Sequence, residues 1–254
     1  MRAESRWLRW LVPALSLTAG AALWELVGGR TSAAFLSTFS ATMARLAALV
    51  RSGEFTEALA QSLALFAAGF ALAVIVAVPF GLLLARVRIL RVALEPYIMG
   101  LYATPMAALT PFILSMMGFG FAPKVVVVYL FAVFPILYNT IEGARSVRPE
   151  LIEVARSFRS SEWRLWRDVM IPYTLPFALT GMRQGIGRGL VGMVVAEFFL
   201  SASGIGRLII VSERDFDTAG VLAAIVVISV LGALLMGLGR LAENRFAAWR
   251  GIGR

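Results

Sequence analysis

Apolar positions in this chain come in long blocks separated by short polar stretches. The run AQSLALFAAGFALAVIVAVPFGLLLA, residues 60 to 85, carries no formal charge. At about 1.5 Å per helical residue it is long enough to cross a hydrocarbon core of roughly 30 Å. Similar runs predict membrane-spanning helices near residues 9–28, 60–85, 94–117, 122–141, 175–200 and 218–239. Six spans return both chain ends to one side. Between the first two spans, Leu36, Phe39, Met43, Leu46 and Val50 recur at helical spacing ahead of the break RSGEF. That pattern predicts an amphipathic helix, lying on the membrane or packed on the bundle. Other connections are short, and neither a long repeat nor a low-complexity linker interrupts them. The expectation is one all-helical membrane domain over residues 1–254, with a core of about 55–245 and a polar insert at about 149–172.

Composition supports this reading. Of 254 residues, 59% are hydrophobic and 15% charged, and the mean hydropathy is +0.82, too apolar for a soluble domain of this size. Orientation follows from the basic residues, which concentrate in cytoplasmic loops. Of the 24, 16 fall on the side of the termini, six on the other side (Arg30, Arg45, Arg51, Lys124, Arg207 and Arg214), and two, Arg183 and Arg188, within the fifth span. Both termini are therefore expected in the cytoplasm. The net charge of +9 is explained by that asymmetry, with no signal for nucleic acid. The N-terminal MRAESRWLRWLVPALSLTAGAALW also has the layout of a signal peptide, but an uncleaved first span is expected. The chain has no cysteine and no histidine, which removes thiol chemistry, imidazole catalysis and the usual zinc or copper ligands.

One stretch departs from the apolar theme: EVARSFRSSEWRLWRDVMIPYTLP, residues 153 to 176. Leu151, Ala155, Phe158, Leu165, Trp166 and Val169 fall at helical spacing among charges of both signs. Pro149 suits a first helical turn, and RSS at 159 to 161 breaks the pattern with serines able to cap a second helix. Helix, turn, helix is predicted. Pro172 is expected to stop the second helix, with Pro176 where the chain re-enters the membrane. A basic amphipathic helix on anionic lipid would account for the arginines. It leaves Glu150, Glu153, Glu162 and Asp168 unexplained, and mixed charge around aromatic anchors favours docking to a protein.

At these residues the chain resembles the permease subunits of bacterial ABC importers. Their EAA loop has Glu-Ala-Ala, a glycine four residues after the last alanine, and Ile-x-Leu-Pro nine residues later. Glu153, Ala155, Val169, Ile171 and Pro172 follow that pattern, while Arg159 stands at the glycine. If the turn there is left-handed, a non-glycine residue costs about 1 to 2 kcal/mol. The stretches LPFALTGMRQGIGRGLVGMVVAEFF, SASGIGRLI and ERDFDTAGVLAAIVVISVLG extend the resemblance over roughly residues 55–250, towards the sulfonate, taurine and nitrate branch. The resemblance implies a type I importer permease fold whose loop, through Glu153, Ala155, Arg156, Phe158, Arg159, Trp163, Leu165, Trp166 and Pro172, docks into a separate ATPase. It further implies a homodimer in the bacterial inner membrane, two P-loop ATPase subunits carrying ATP and Mg, and an extracytoplasmic solute-binding protein. The cargo would be a small anion such as a sulfonate, taurine or nitrate, and membrane lipid would surround the bundle. The chain itself is expected to bind no cofactor and catalyse nothing. Its SGIG at 203 to 206 lacks the phosphate-loop pattern, and Lys124 is its one lysine.

The fifth span adds candidates for the pathway. Gly181, Gly185, Gly189, Gly192 and Ala196 share one helix face, suited to close packing. Arg183, Gly187, Leu190, Val194 and Glu197 lie roughly opposite. Charges at membrane depth commonly face a cavity or a partner, which makes Arg183, Arg188 and Glu197 candidates for lining the pathway. The alternative is that the arginines reach to the cytoplasmic surface and Glu197 to the outer one. Two other classes remain open at this stage. A secondary transporter or channel would need no ATPase, although inverted repeats are not evident. A membrane protease or acyltransferase is poorly served without histidine or cysteine.

Overall fold

The computed structural model describes residues 8–200 and 203–247, with no strand among them. Its helices are α1 (Leu8–Arg30), α2 (Phe39–Ser52), α3 (Glu54–Arg86), α4 (Arg88–Ala103), α5 (Met106–Met117) and α6 (Phe121–Arg145). They continue as α7 (Pro149–Ser157), α8 (Glu162–Leu165), a π-helical turn (Trp166–Met170), α9 (Ile171–Leu200), α10 (Gly204–Arg214) and α11 (Thr218–Ala247). By length and apolar composition, α1, α3, α6 and α11 qualify as membrane spans on their own, and the number rises to six if two broken helix pairs each count as one.

One broken pair corrects the expected third span. Residues 94–117 do not form one helix: α4 and α5 meet at 98°, and their 16 and 12 residues are each short for a crossing. Proline accounts for the break. Pro105 has no N–H to donate, and its ring forces Thr104 into extended backbone (φ −69°, ψ 135°), outside the helical region.

The described residues group into two compact units, Met1–Ala60 with Ser203–Ser229 and Gln61–Ala202 with Val230–Arg254. In the first unit, the predicted amphipathic helix is α2, packed on protein. Thr38 caps its start, and Gly53, in left-handed backbone at φ 83°, ends it. The Trp24 ring meets Phe39 edge-on, and Trp24 Nε1 donates to the Ser37 carbonyl at 2.9 Å. The Glu25 carboxylate accepts from both the Ser40 amide (2.9 Å) and its hydroxyl (2.7 Å), anchoring α2 to the end of α1. Arg45 pairs with Asp217 at 2.6 Å, and Asp217 also accepts the Gly220 amide at 2.9 Å in the first turn of α11. Ala58, Ile205 and Ala224 form the apolar core of this unit.

The second unit is built around α6. From Val125 to Leu137 that helix is apolar on nearly every face, as suits a buried helix, and Val127, Val128, Ala132, Ile136 and Leu137 are all buried in it. Two neighbours approach through glycine. On α3, a Cβ at Gly69 or Gly81 would fall within 2.5 Å of Val128 or 2.9 Å of Thr140. On α9, a Cβ at Gly181 would lie 2.9 Å from the Pro135 carbonyl oxygen, and one at Gly192 would lie 2.8 Å from Phe131 Cβ. Gly185 and Gly189 are nearly as close, and Ala196 is fully buried. The small face anticipated on the fifth span is therefore a contact surface, chiefly with α6.

Adding a methyl group there forces backbone apart. Gly181→Ala is expected to lower the stability of the detergent-solubilised protein by about 1 to 3 kcal/mol, read as thermal unfolding. Gly237→Ala, where a Cβ meets nothing within 4 Å, should be neutral or slightly stabilising. Equal melting of the two variants would contradict the close α6–α9 contact.

Candidate functional site: the polar loop and the faces of α9

The polar insert folds as helix, turn, helix. Pro149 opens α7 at its first turn, and the Ser161 hydroxyl accepts the Arg164 amide to cap α8 at 3.4 Å. Between them the chain makes a C-terminal cap of the Schellman type: the Arg159 amide donates to the Arg156 carbonyl (2.8 Å) and the Ser160 amide to the Ala155 carbonyl (3.1 Å). Such a cap needs a left-handed residue at its corner. That residue is Arg159, at φ 51°.

The loop residues separate into two sets. Leu165, with Val147 and Met170, is buried in a small core that also takes Ala155 and Trp166. The Arg86 guanidinium lies over the Trp166 ring at 5.6 Å, fixing the loop to the end of α3. Glu153, Arg156 and Arg159 face outward, as do Phe158 (82% exposed) and Trp163 (67%). Large aromatics left this open beside charges of both signs have no packing role among the described residues.

Pro172 does not end the second helix. Instead α8 passes into the π-helical turn, where the Ile171 amide bonds to the Trp166 carbonyl, and α9 then starts with Pro172 as its second residue. The cause is the missing proline N–H together with ring pressure on the preceding turn. Widening by one residue accommodates both and keeps the helix continuous into the membrane span. Pro176 lies inside α9.

The structure does not bring Arg183, Arg188 and Glu197 together. Arg183 Nε is ion-paired with Glu243 of α11 at 2.8 Å, and the same carboxylate accepts from the Thr180 hydroxyl at 2.6 Å. Glu197 is 1% exposed and accepts from Ser62 Oγ of α3 at 2.6 Å; Lys124, 4% exposed, interacts with its charge from the first turn of α6. Lys124, counted from sequence among the basic residues on the side away from the termini, is buried. An isolated lysine against VVVV was the available sign of such a role. Arg188 is exposed on another face, with its guanidinium over the Tyr102 ring at 4.9 Å. Tyr102 had no distinguishing pattern in the sequence.

Residues 77–248 match the family described as the binding-protein-dependent transport system inner membrane component. The chain belongs to this family. It is an ABC importer permease in fold and sequence. A Bacillus subtilis protein named for aliphatic sulfonate transport, SsuC, is 32% identical over 242 residues, 94% of this permease and 86% of that protein. RibX of Chloroflexus aurantiacus, named as a riboflavin transport system permease, is 35% identical over 165 residues, 65% of this permease and 62% of that protein. A solved inward-facing structure of the MetNI methionine ABC transporter superposes with a TM-score of 0.62 at 15% identity, over 73% of this permease and 93% of that chain. That last likeness is one of fold.

Arg159 offers a direct check on the loop geometry. Arg159→Gly is expected to keep or raise thermal stability, since relief of the left-handed strain offsets the added freedom of the unfolded chain. Arg159→Val should lose about 1 to 2 kcal/mol in the same unfolding assay, because a β-branched residue resists this backbone most. A stable Val variant would contradict the left-handed corner.

Proposed function

We propose that this permease is the membrane subunit of an ATP-driven importer and works as a homodimer with two P-loop ATPase subunits. The reading is carried by the loop of α7 and α8, a firmly anchored element that presents Phe158 and Trp163 outward with no aromatic partner among the described residues. ATP and Mg belong to the ATPases, and this chain binds no cofactor and performs no hydrolysis. Closure of the ATPases draws the two loops together and turns the pathway outward; hydrolysis resets it. An extracytoplasmic binding protein delivers the solute. The arginine distribution supports cytoplasmic termini, although the terminal Arg2, Arg6, Arg250 and Arg254 lie outside the described residues.

The solute is a small organic anion of the sulfonate type. Support comes from the long match to the sulfonate-named relative and from Arg188, whose charge has no carboxylate partner among the described residues. The shorter match to the riboflavin-named relative makes a larger, mostly uncharged solute the competing outcome in an uptake assay.

The loop assignment is tested by purifying the chain from its own membranes in mild detergent and counting the ATPase recovered with it. Phe158→Ala with Trp163→Ala is expected to leave the permease folded in the membrane while lowering recovered ATPase by about tenfold or more. Glu153→Arg, which reverses one exposed charge, should likewise abolish ATP-dependent uptake. Undiminished ATPase recovery and uptake in these variants would refute the docking role.

A further inference from the structure

The 98° bend between α4 and α5 opens a cavity of about 450 Å³ in the second unit, lined by Tyr102, Thr104, Met106, Phe131, Phe134 and Arg188 among others. Its walls are aromatic and aliphatic, and its single formal charge is that of Arg188. Of the two arginines on α9, Arg183 is already neutralised by Glu243, whereas Arg188 has no ion pair among the described residues. What holds Arg188 is an aromatic face. The Tyr102 ring lies 4.9 Å from the guanidinium carbon, and Arg188 Nη2 donates to the Tyr102 hydroxyl at 3.4 Å. Tyr102 is in turn stacked parallel to Tyr138 and tilted on Phe134, which fixes the ring.

Two chemical consequences follow. A π face orients a guanidinium without consuming its charge, so the remaining N–H groups stay available as a fork. The Tyr102 hydroxyl, which accepts from Arg188, keeps its own proton to donate. In addition, no side chain caps the start of α5, whose first residues line the same cavity, so the positive end of that helix adds to the field.

We propose that Arg188 and Tyr102 form the selectivity site of the translocation pathway, taking the oxyanion head of an amphiphilic anion, a sulfonate or carboxylate, with its short apolar body against Phe131, Phe134 and Met106. This rests on the reading of the chain as a permease that forms the pathway, and adds to it the residues that choose the solute. A neutral solute of the same shape leaves the guanidinium unsatisfied, and a cation is repelled by it. The charge balance also suits passage: one arginine tempered by an aromatic ring holds an anion less firmly than a fully desolvated cluster of cations, and so permits release.

The test uses the complete chain purified from its own membranes with whatever subunits accompany it. Thermal unfolding is followed while 1-pentanesulfonate, 1-pentanol and pentylammonium are titrated separately. The wild type is expected to be stabilised selectively by the sulfonate. Arg188→Gln should raise the apparent Kd for the sulfonate by about tenfold or more and erase the preference over the alcohol, with its unliganded melting close to wild type. Arg188→Lys, which retains charge but not the fork, and Tyr102→Phe, which retains the ring but not the hydroxyl, should fall between; they carry the comparison if Arg188→Gln does not fold. A sulfonate response equal in wild type and the Arg188 variants, a wild-type response shared equally by the alcohol, or no wild-type response overturns the proposal. Recovery of an ATPase and ATP-dependent uptake are scored separately in the wild type. Their absence refutes the importer reading without altering the binding comparison.

Discussion

The close approach of α6 and α9 is the constraint on which the rest of the second unit depends. Within a bilayer, burying one apolar helix against another gains little over lipid, and association rests on tight packing between small residues. Gly181, Gly185, Gly189 and Gly192 provide that surface on α9, against the Pro135, Ile136 and Ala132 region of α6. Once that face is committed, the rotation of α9 about its axis is set, and with it the direction of every other side chain on the helix. Arg183 is directed to Glu243, Glu197 to Ser62 and Lys124, and Arg188 to the cavity beside Tyr102. Three ionisable groups on one helix thereby acquire three different surroundings, and no geometry of α9 alone would have separated them.

The ionisable groups also act as ties between distant parts of the sequence. Arg183 and Glu243 are joined across α9 and α11, Glu197 and Ser62 across α9 and α3, and Arg45 and Asp217 across α2 and the start of α11. A charge withdrawn from water is costly unless it is paired, so each tie penalises arrangements that would part it. At the end of α6, Arg145 meets Glu142 of the same helix and Glu95 of α4.

Much of this was legible in the sequence because its causes are local. Apolar length announced the helices, four-residue steps announced the glycine face, and Pro149, Arg159 and Ser161 marked the start, corner and restart of the loop. The features that escaped depend on tertiary context. Pro105 breaks its helix, whereas Pro172, Pro176, Pro79 and Pro135 are accommodated in theirs, and nothing in the adjacent residues distinguishes the cases. The Arg188 and Tyr102 pair joins positions 86 residues apart, and Lys124 and Glu197 are separated even in helix order. Pairings of that kind are products of packing, invisible to periodicity.

The π-helical turn at Trp166–Met170 makes the two ends of the polar loop structurally unlike. On the α7 side the chain passes through a tight corner at Arg159, closed by the amide bonds of Arg159 and Ser160. On the α8 side the hydrogen-bonded backbone runs unbroken into α9, so α8 and the membrane helix behave as a single rod with a widened collar. The exposed Trp163 therefore sits on a continuous helical rod whose membrane portion carries the glycine seam with α6, whereas α7 joins it through the corner at Arg159 and the small core around Leu165.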